Sequence, residues 1–89
     1  MNKADLVRAI ASETNMTFRD TEAVLKAFTD TVMQAVADGE KVSLVGFGSF
    51  HSITRKARTG RNPATGQQID IPEKSVPKFT PGKEFRDKL

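Results

Sequence analysis

The sequence predicts an α+β fold in which a helical first half precedes a strand-rich, basic second half. Three observations predict it. Apolar residues recur at helical spacing as far as Ala37, and after Gly39 the period becomes strand-like. Turn formers crowd the stretch Gly60-Arg61-Asn62-Pro63-Ala64-Thr65-Gly66, between two polar, strand-compatible segments. The charge divides the same way: residues 1–40 hold four basic and seven acidic side chains, for −3, and residues 41–89 hold ten and four, for +6.

The first helix is expected over residues 2–14. Asn2 stands three residues before Asp5 in capping spacing, and Leu6, Val7, Ile10 and Ala11 form one apolar stripe. Asn15-Met16 interrupts the pattern. Thr17, with Asp20 three residues on, starts a second helix, antiparallel to the first. Its apolar positions are Val24, Leu25, Phe28, Val32, Ala35 and Val36, and Asp38-Gly39 ends it, glycine suiting the left-handed position past a C-terminus.

Lys41-Val42-Ser43-Leu44-Val45 then alternates as a strand. Gly46-Phe47-Gly48 lacks the third glycine of a dinucleotide fingerprint and reads as a tight turn between strands, with Phe47 and Phe50 filling the core. Residues 52–59 and 67–71 are polar strands around the Gly/Asn/Pro tip, and Pro72 ends the second. Such a hairpin buries little, and an isolated ribbon is marginal in water. It reads as a gripping arm, or as a loop that orders on binding. After Val76-Pro77 the chain enters a short final helix, with Thr80 as N-cap, Pro81 at the first helical position, and Phe85 and Leu89 on the inner face. Lys83 in its first turn opposes the helix dipole, and marks either an anion contact or a solvated lysine.

Composition excludes several classes. There is no cysteine and a single histidine, His51, so disulfides, thiolate metal sites and multi-histidine clusters are ruled out. No converging carboxylate pair offers acid–base chemistry, so no enzyme and no cofactor is expected. No apolar run approaches the roughly 18 residues that a membrane span needs. The N-terminus shows no secretory pattern, so Asn15-Met16-Thr17 is not read as a glycosylation acceptor and a cytoplasmic location is expected.

Lys41 to Ile69 contains five basic residues and no acid. Charge alone fits a solvated basic surface as well as a polyanion-binding one. Arg55, Lys56, Arg58 and Arg61 place four cations within seven residues of an extended scaffold. Alternation sets Lys56 and Arg58 on one face and Arg55 on the other. Guanidinium groups pair with phosphate and fit a narrow minor groove, and nothing here supplies major-groove readout. Pro63, flanked by Arg61 and Asn62, is either an ordinary turn proline or an apolar wedge able to unstack base steps.

Gly46-Phe47, Phe50, Arg55, Arg58, Gly60, Asn62-Pro63 and Thr65 fall at the spacing of the bacterial histone-like DNA-binding proteins, HU and integration host factor. The resemblance runs from Asn2-Lys3 to Pro81-Gly82-Lys83 and is closest to HU. It implies one HU-like domain over residues 1–89: a helical dimerisation half (1–40), a three-stranded antiparallel β-saddle with a long ribbon arm (41–76), and a C-terminal segment and helix (77–89). It implies an intertwined homodimer, or a heterodimer with a paralogue, acting in the nucleoid. Two arms reach round double-stranded DNA in the minor groove, bending and condensing it with little sequence preference. Wedging side chains of minor-groove binders, HU and the host factor among them, kink the duplex by about 20–90°. By position, Arg55, Arg58, Arg61 and Asn62 resemble groove-following arm residues, with Lys56 beside them, and Pro63 resembles the intercalating wedge. Lys3, Lys83 and Arg86 resemble body contacts to flanking DNA. The chain departs from the family at Ile53, often basic, at His51, often acidic, and at Gln67, Gln68 and Asp70, where lysine is frequent. His51 is expected to be a surface residue at the arm base, a mild pH-dependent contact being the alternative. The other functional readings are a sequence-preferring bender like the host factor and a module for RNA or another polyanion.

Overall fold

Asn2 starts the first helix by a reciprocal capping box. Its side chain accepts from Asp5 N–H at 2.9 Å, and the Asp5 carboxylate accepts from Asn2 N–H at 3.2 Å. In the computed structural model, which describes residues 1–89, helix α1 runs Lys3–Thr14 and helix α2 Phe18–Ala37. Asn15 closes α1 in the left-handed conformation, at φ 59°. Thr17 caps α2 one-sidedly, its hydroxyl accepting from Asp20 N–H at 3.1 Å. The end of α2 is a Schellman turn: Gly39 N–H donates to Val36 O at 3.0 Å and Glu40 N–H to Ala35 O at 2.9 Å, with Gly39 at φ 85°.

The chain divides into two units, residues 1–34 and 35–89. In the first, only Val7, Ala11 and Thr21 are buried, and the Thr21 hydroxyl donates to Thr17 O at 2.8 Å. Ile10 is half-buried, while Leu6, Phe18, Val24, Phe28 and Met33 are exposed, Phe18 by 61% and Met33 by 62%. Full burial of a valine-sized side chain contributes about 1.5–3 kcal/mol. Ordering one residue costs about 1–2 kcal/mol of backbone entropy, so these buried residues cannot sustain the unit by themselves.

The second unit is built on a three-stranded antiparallel sheet of order β1-β2-β5, from β1 Val42–Leu44, β2 Gly48–Arg55 and β5 Lys74–Pro81. Strands β3 Arg58–Arg61 and β4 Gln68–Ile71 form a separate two-stranded ribbon, and helix α3 covers Lys83–Asp87. Phe47, Phe50, Phe79 and Phe85 form a ring cluster with centroids 4.9–6.3 Å apart, within the range of favourable aromatic contacts.

The C-terminal third differs from the sequence expectation. Thr80 and Pro81 do not start the last helix: both belong to β5, and Gly82 occupies the N-cap without a side-chain hydrogen bond. The strand also continues past residue 76, where the saddle was expected to end. Two prolines on β5, Pro77 and Pro81, argue against a strand in sequence. They are tolerated because β5 lies at the sheet edge, pairing with β2 alone. Gly82 N–H donates to Phe47 O at 2.8 Å and Phe85 stacks on Phe47 at 5.6 Å. Leu89 lies beyond α3 and is fully exposed, not on an inner face, and Phe47 remains 44% exposed despite its ring contacts.

A candidate nucleic-acid interface

The arm is one continuous antiparallel register with a joint in its hydrogen bonding. β2 and β5 pair from Gly48↔Pro81 to Arg55↔Lys74, and β3 and β4 from Arg58↔Ile71 to Arg61↔Gln68. The two ladders share one register, so no residue is inserted across the break. The break falls at Lys56-Ala57 on one strand and Pro72-Glu73 on the other. Pro72 has no N–H to give the ladder, which accounts for the interruption there.

The tip is closed locally. Asn62 N–H donates to Gln67 O at 2.8 Å, and Gly66 N–H, at φ 70°, donates to Asn62 O at 2.7 Å. The Asn62 carboxamide oxygen accepts from Ala64 N–H at 2.9 Å, an Asx turn around Pro63. Asn62 is half-buried and its side chain shapes the tip, while Pro63 is exposed at the turn.

Register sorts the remaining side chains by face. Phe50 and Phe79 pair on one face of the saddle, continued by the Thr54–Ser75 hydroxyl contact at 3.2 Å. The opposite face carries the pairs His51–Lys78, Ile53–Val76 and Arg55–Lys74. Along the arm this face continues with Thr59–Asp70 and Arg61–Gln68, while Arg58 lies on the other face, opposite Ile71. Arg55, Lys56, Arg58 and Arg61 are all exposed. The ion pairs Lys3–Glu22, Arg8–Asp5 and Lys26–Asp30 all lie within residues 1–34, and none engages an arm cation. Lys26 has its proton held above the usual lysine range, by its hydrogen bond to Asp30 and that carboxylate's charge. Arg55 directly opposite Lys74 is a like-charge pair, which is destabilising in an antiparallel sheet. A polyanion laid on this face would turn that repulsion into attraction.

The sequence-predicted residues divide accordingly. Arg55 ends β2, Lys56 lies in the break, and Arg58, Arg61, Asn62 and Pro63 fall on the ribbon and its tip, so all six follow one another along the arm. Lys83 and Arg86 are exposed on α3, in the same unit. Lys3 belongs to the other unit, 4.0 Å from the Glu22 carboxylate and about 62% exposed. Sequence reading missed Lys74 and Lys78. Their signal is the pairing of β5 with β2, hidden by the prolines that disguise β5.

No group of three or more metal-ligating side chains occurs in the structure, and no helix is long and apolar enough to cross a membrane. The profile of the bacterial DNA-binding protein family matches residues 1–89. DNA-binding protein HU of Nostoc sp. is 51% identical over 89 residues, covering 100% of this chain and 95% of the relative. HU of Clostridium pasteurianum is 49% identical over 89 residues, covering 100% and 98%. Among solved structures, an Anabaena HU–DNA cocrystal structure matches with a TM-score of 0.88 at 51% identity, over 99% of this chain and 96% of that one. HU from Thermotoga maritima, as its V42I mutant, matches with a TM-score of 0.74 at 33% identity, over 99% and 97%. The helices, three-stranded saddle, ribbon and whole-chain match together place this chain in the HU family of bacterial DNA-binding proteins.

Proposed function

We propose that this chain is a non-enzymatic, nucleoid-associated architectural protein that binds and bends double-stranded DNA. The observation that carries this reading is the register-continuous ribbon, cationic on both faces, with Pro63 exposed at its tip. A ribbon of this kind follows a groove, contacts phosphates through Arg55, Lys56, Arg58 and Arg61, and offers no major-groove reading element. Binding is accordingly mostly electrostatic, in the minor groove and weakly sequence-dependent. Pro63 is the wedge, Asn62 sets its presentation, and Lys3, Lys83 and Arg86 extend the contact along flanking DNA.

The whole chain acts as one domain, in a homodimer within the bacterial nucleoid. The exposed Phe18, Val24, Phe28 and Met33 in residues 1–34 support pairing, because a unit with this much apolar surface and so little core needs a second chain to cover it. The test is binding of labelled duplex DNA, duplex RNA and single-stranded DNA at two salt concentrations. Duplex DNA is expected to bind best, losing affinity steeply as salt rises. Retention of RNA with no binding of duplex DNA would instead establish a general polyanion module.

A further inference from the structure

By register, one face of the arm carries the cross-strand pairs His51–Lys78, Arg55–Lys74, Thr59–Asp70 and Arg61–Gln68. Asp70 is the only acid on that face, and the first in the sequence after Glu40. Glu73, the arm's other acid, lies in the break between the two ladders. Asp70 is exposed and belongs to none of the chain's ion pairs, although Arg61 is its diagonal neighbour on the same face. Diagonal partners in an antiparallel pair stand about 7–8 Å apart, which is about two base steps of a duplex at roughly 3.4 Å each. The ribbon thus presents an acceptor-only carboxylate and a donor-only guanidinium side by side, neither engaged by the other.

We propose that Asp70 gives the arm a weak preference for guanine, by accepting a hydrogen bond from the guanine 2-amino group in the minor groove while Arg61 donates to an acceptor nearby. This rests on the minor-groove reading above and adds to it one residue that tells base pairs apart. At A·T the minor groove shows only acceptors, adenine N3 and thymine O2; at G·C it adds a single donor, the guanine amino group. An ionised carboxylate has no hydrogen to give. Over A·T it loses hydration and meets only acceptors, whereas over G·C it meets the one group that it can bind. The field acts in the same direction, because the narrow groove of an A-tract carries the more negative potential and repels a carboxylate most. Arg61 finds acceptors at either kind of pair, and Gln68 both donates and accepts, so neither makes this choice. Asp70 therefore selects by rejecting A·T as much as by binding G·C.

The experiment measures binding of labelled duplexes of one length by the full chain and by Asp70→Ala, at one moderate salt concentration. One duplex is rich in G·C, and a second replaces each guanine by inosine, which still pairs with cytosine but lacks the 2-amino group. A third is rich in A·T, and a fourth restores the amino group to it by replacing adenine with 2,6-diaminopurine. The unmodified chain is expected to bind each amino-bearing duplex about fivefold more tightly than its counterpart, the effect of one hydrogen bond. Asp70→Ala is expected to bind all four alike, chiefly by gaining affinity for the two that lack the amino group. Equal binding of the four by the unmodified chain, or a preference that survives in Asp70→Ala, would overturn the proposal and leave the DNA-binding reading intact. A folded chain that binds none of the duplexes would overturn both.

Discussion

Gly48 is the position where adding one carbon should cost most. It begins β2 at φ +155°, an orientation L side chains rarely adopt. A Cβ there would stand 2.5 Å from Thr80 O and 2.7 Å from two ring carbons of Phe79. Neither neighbour can move away cheaply. Thr80 is held in register opposite Ser49, and Phe79 sits at the centre of the ring cluster, 4.9 Å from Phe50 and 5.2 Å from Phe47. Backbone strain of about 1–3 kcal/mol adds to an overpacking cost of about 1–3 kcal/mol, so Gly48→Ala should destabilise by about 2–6 kcal/mol. Gly39 and Gly66 supply the controls. Both have positive φ, +85° and +70°, with nothing within 4 Å of an added Cβ. Gly39→Ala should cost only about 1–2 kcal/mol, the left-handed penalty alone. Gly66→Ala should loosen the arm tip without moving the main unfolding transition, because the ribbon is outside the saddle. Thermal unfolding followed by circular dichroism reads the series. A shift of about 4–8 °C per kcal/mol in a chain of this size separates the three variants clearly. A Gly48→Ala protein melting within a few degrees of the unmodified chain would refute the packing argument.

Further expectations concern the interface and the partner chain. Arg58→Ala should reduce the log–log salt slope of DNA binding by about 0.9 for each phosphate that Arg58 neutralises, and an unchanged slope would show that it neutralises none. Lys74→Ala, which also removes the like-charge repulsion with Arg55, should weaken DNA binding while leaving stability equal or slightly improved, measured by anisotropy and thermal melting. A drop in stability would contradict the cross-strand assignment. Pro63→Ala should lower the bend angle, measured by energy transfer between duplex ends, more than it lowers affinity; equal bending would dismiss the wedge. The melting temperature should rise with protein concentration if two chains fold together, and a constant value would argue for a stable monomer.

The helical half is legible in the sequence because its signals are local. Asn2 with Asp5, Thr17 with Asp20, and Asp38-Gly39 each act within a few residues, and all three mark helix ends in the structure. The Gly46–Gly48 turn is legible for the same reason, with Gly46 at φ 88°. What escapes is non-local. Nothing near Pro77 or Pro81 shows that β5 is an edge strand paired with β2 along its whole length, so sequence alone starts the last helix too early. The basic cluster from Arg55 to Arg61 is visible as a run. Lys74 and Lys78 are not, because they join the saddle face only through register. The tip is legible as a cluster of turn formers, but the hydrogen bond from Ala64 N–H to the Asn62 side-chain oxygen shows only in the closed turn.

On the reading proposed above, the ribbon and its tip deform DNA, as distinct from merely holding it by charge. Energy transfer between dyes at the two ends of an intact duplex, titrated with the full chain at moderate salt, tests this most directly. Transfer is expected to rise in step with binding, and a nicked or prebent duplex of the same length to be bound more tightly because its bending cost is already met. Saturable binding that leaves end-to-end transfer unchanged and shows no preference for the nicked duplex would contradict it.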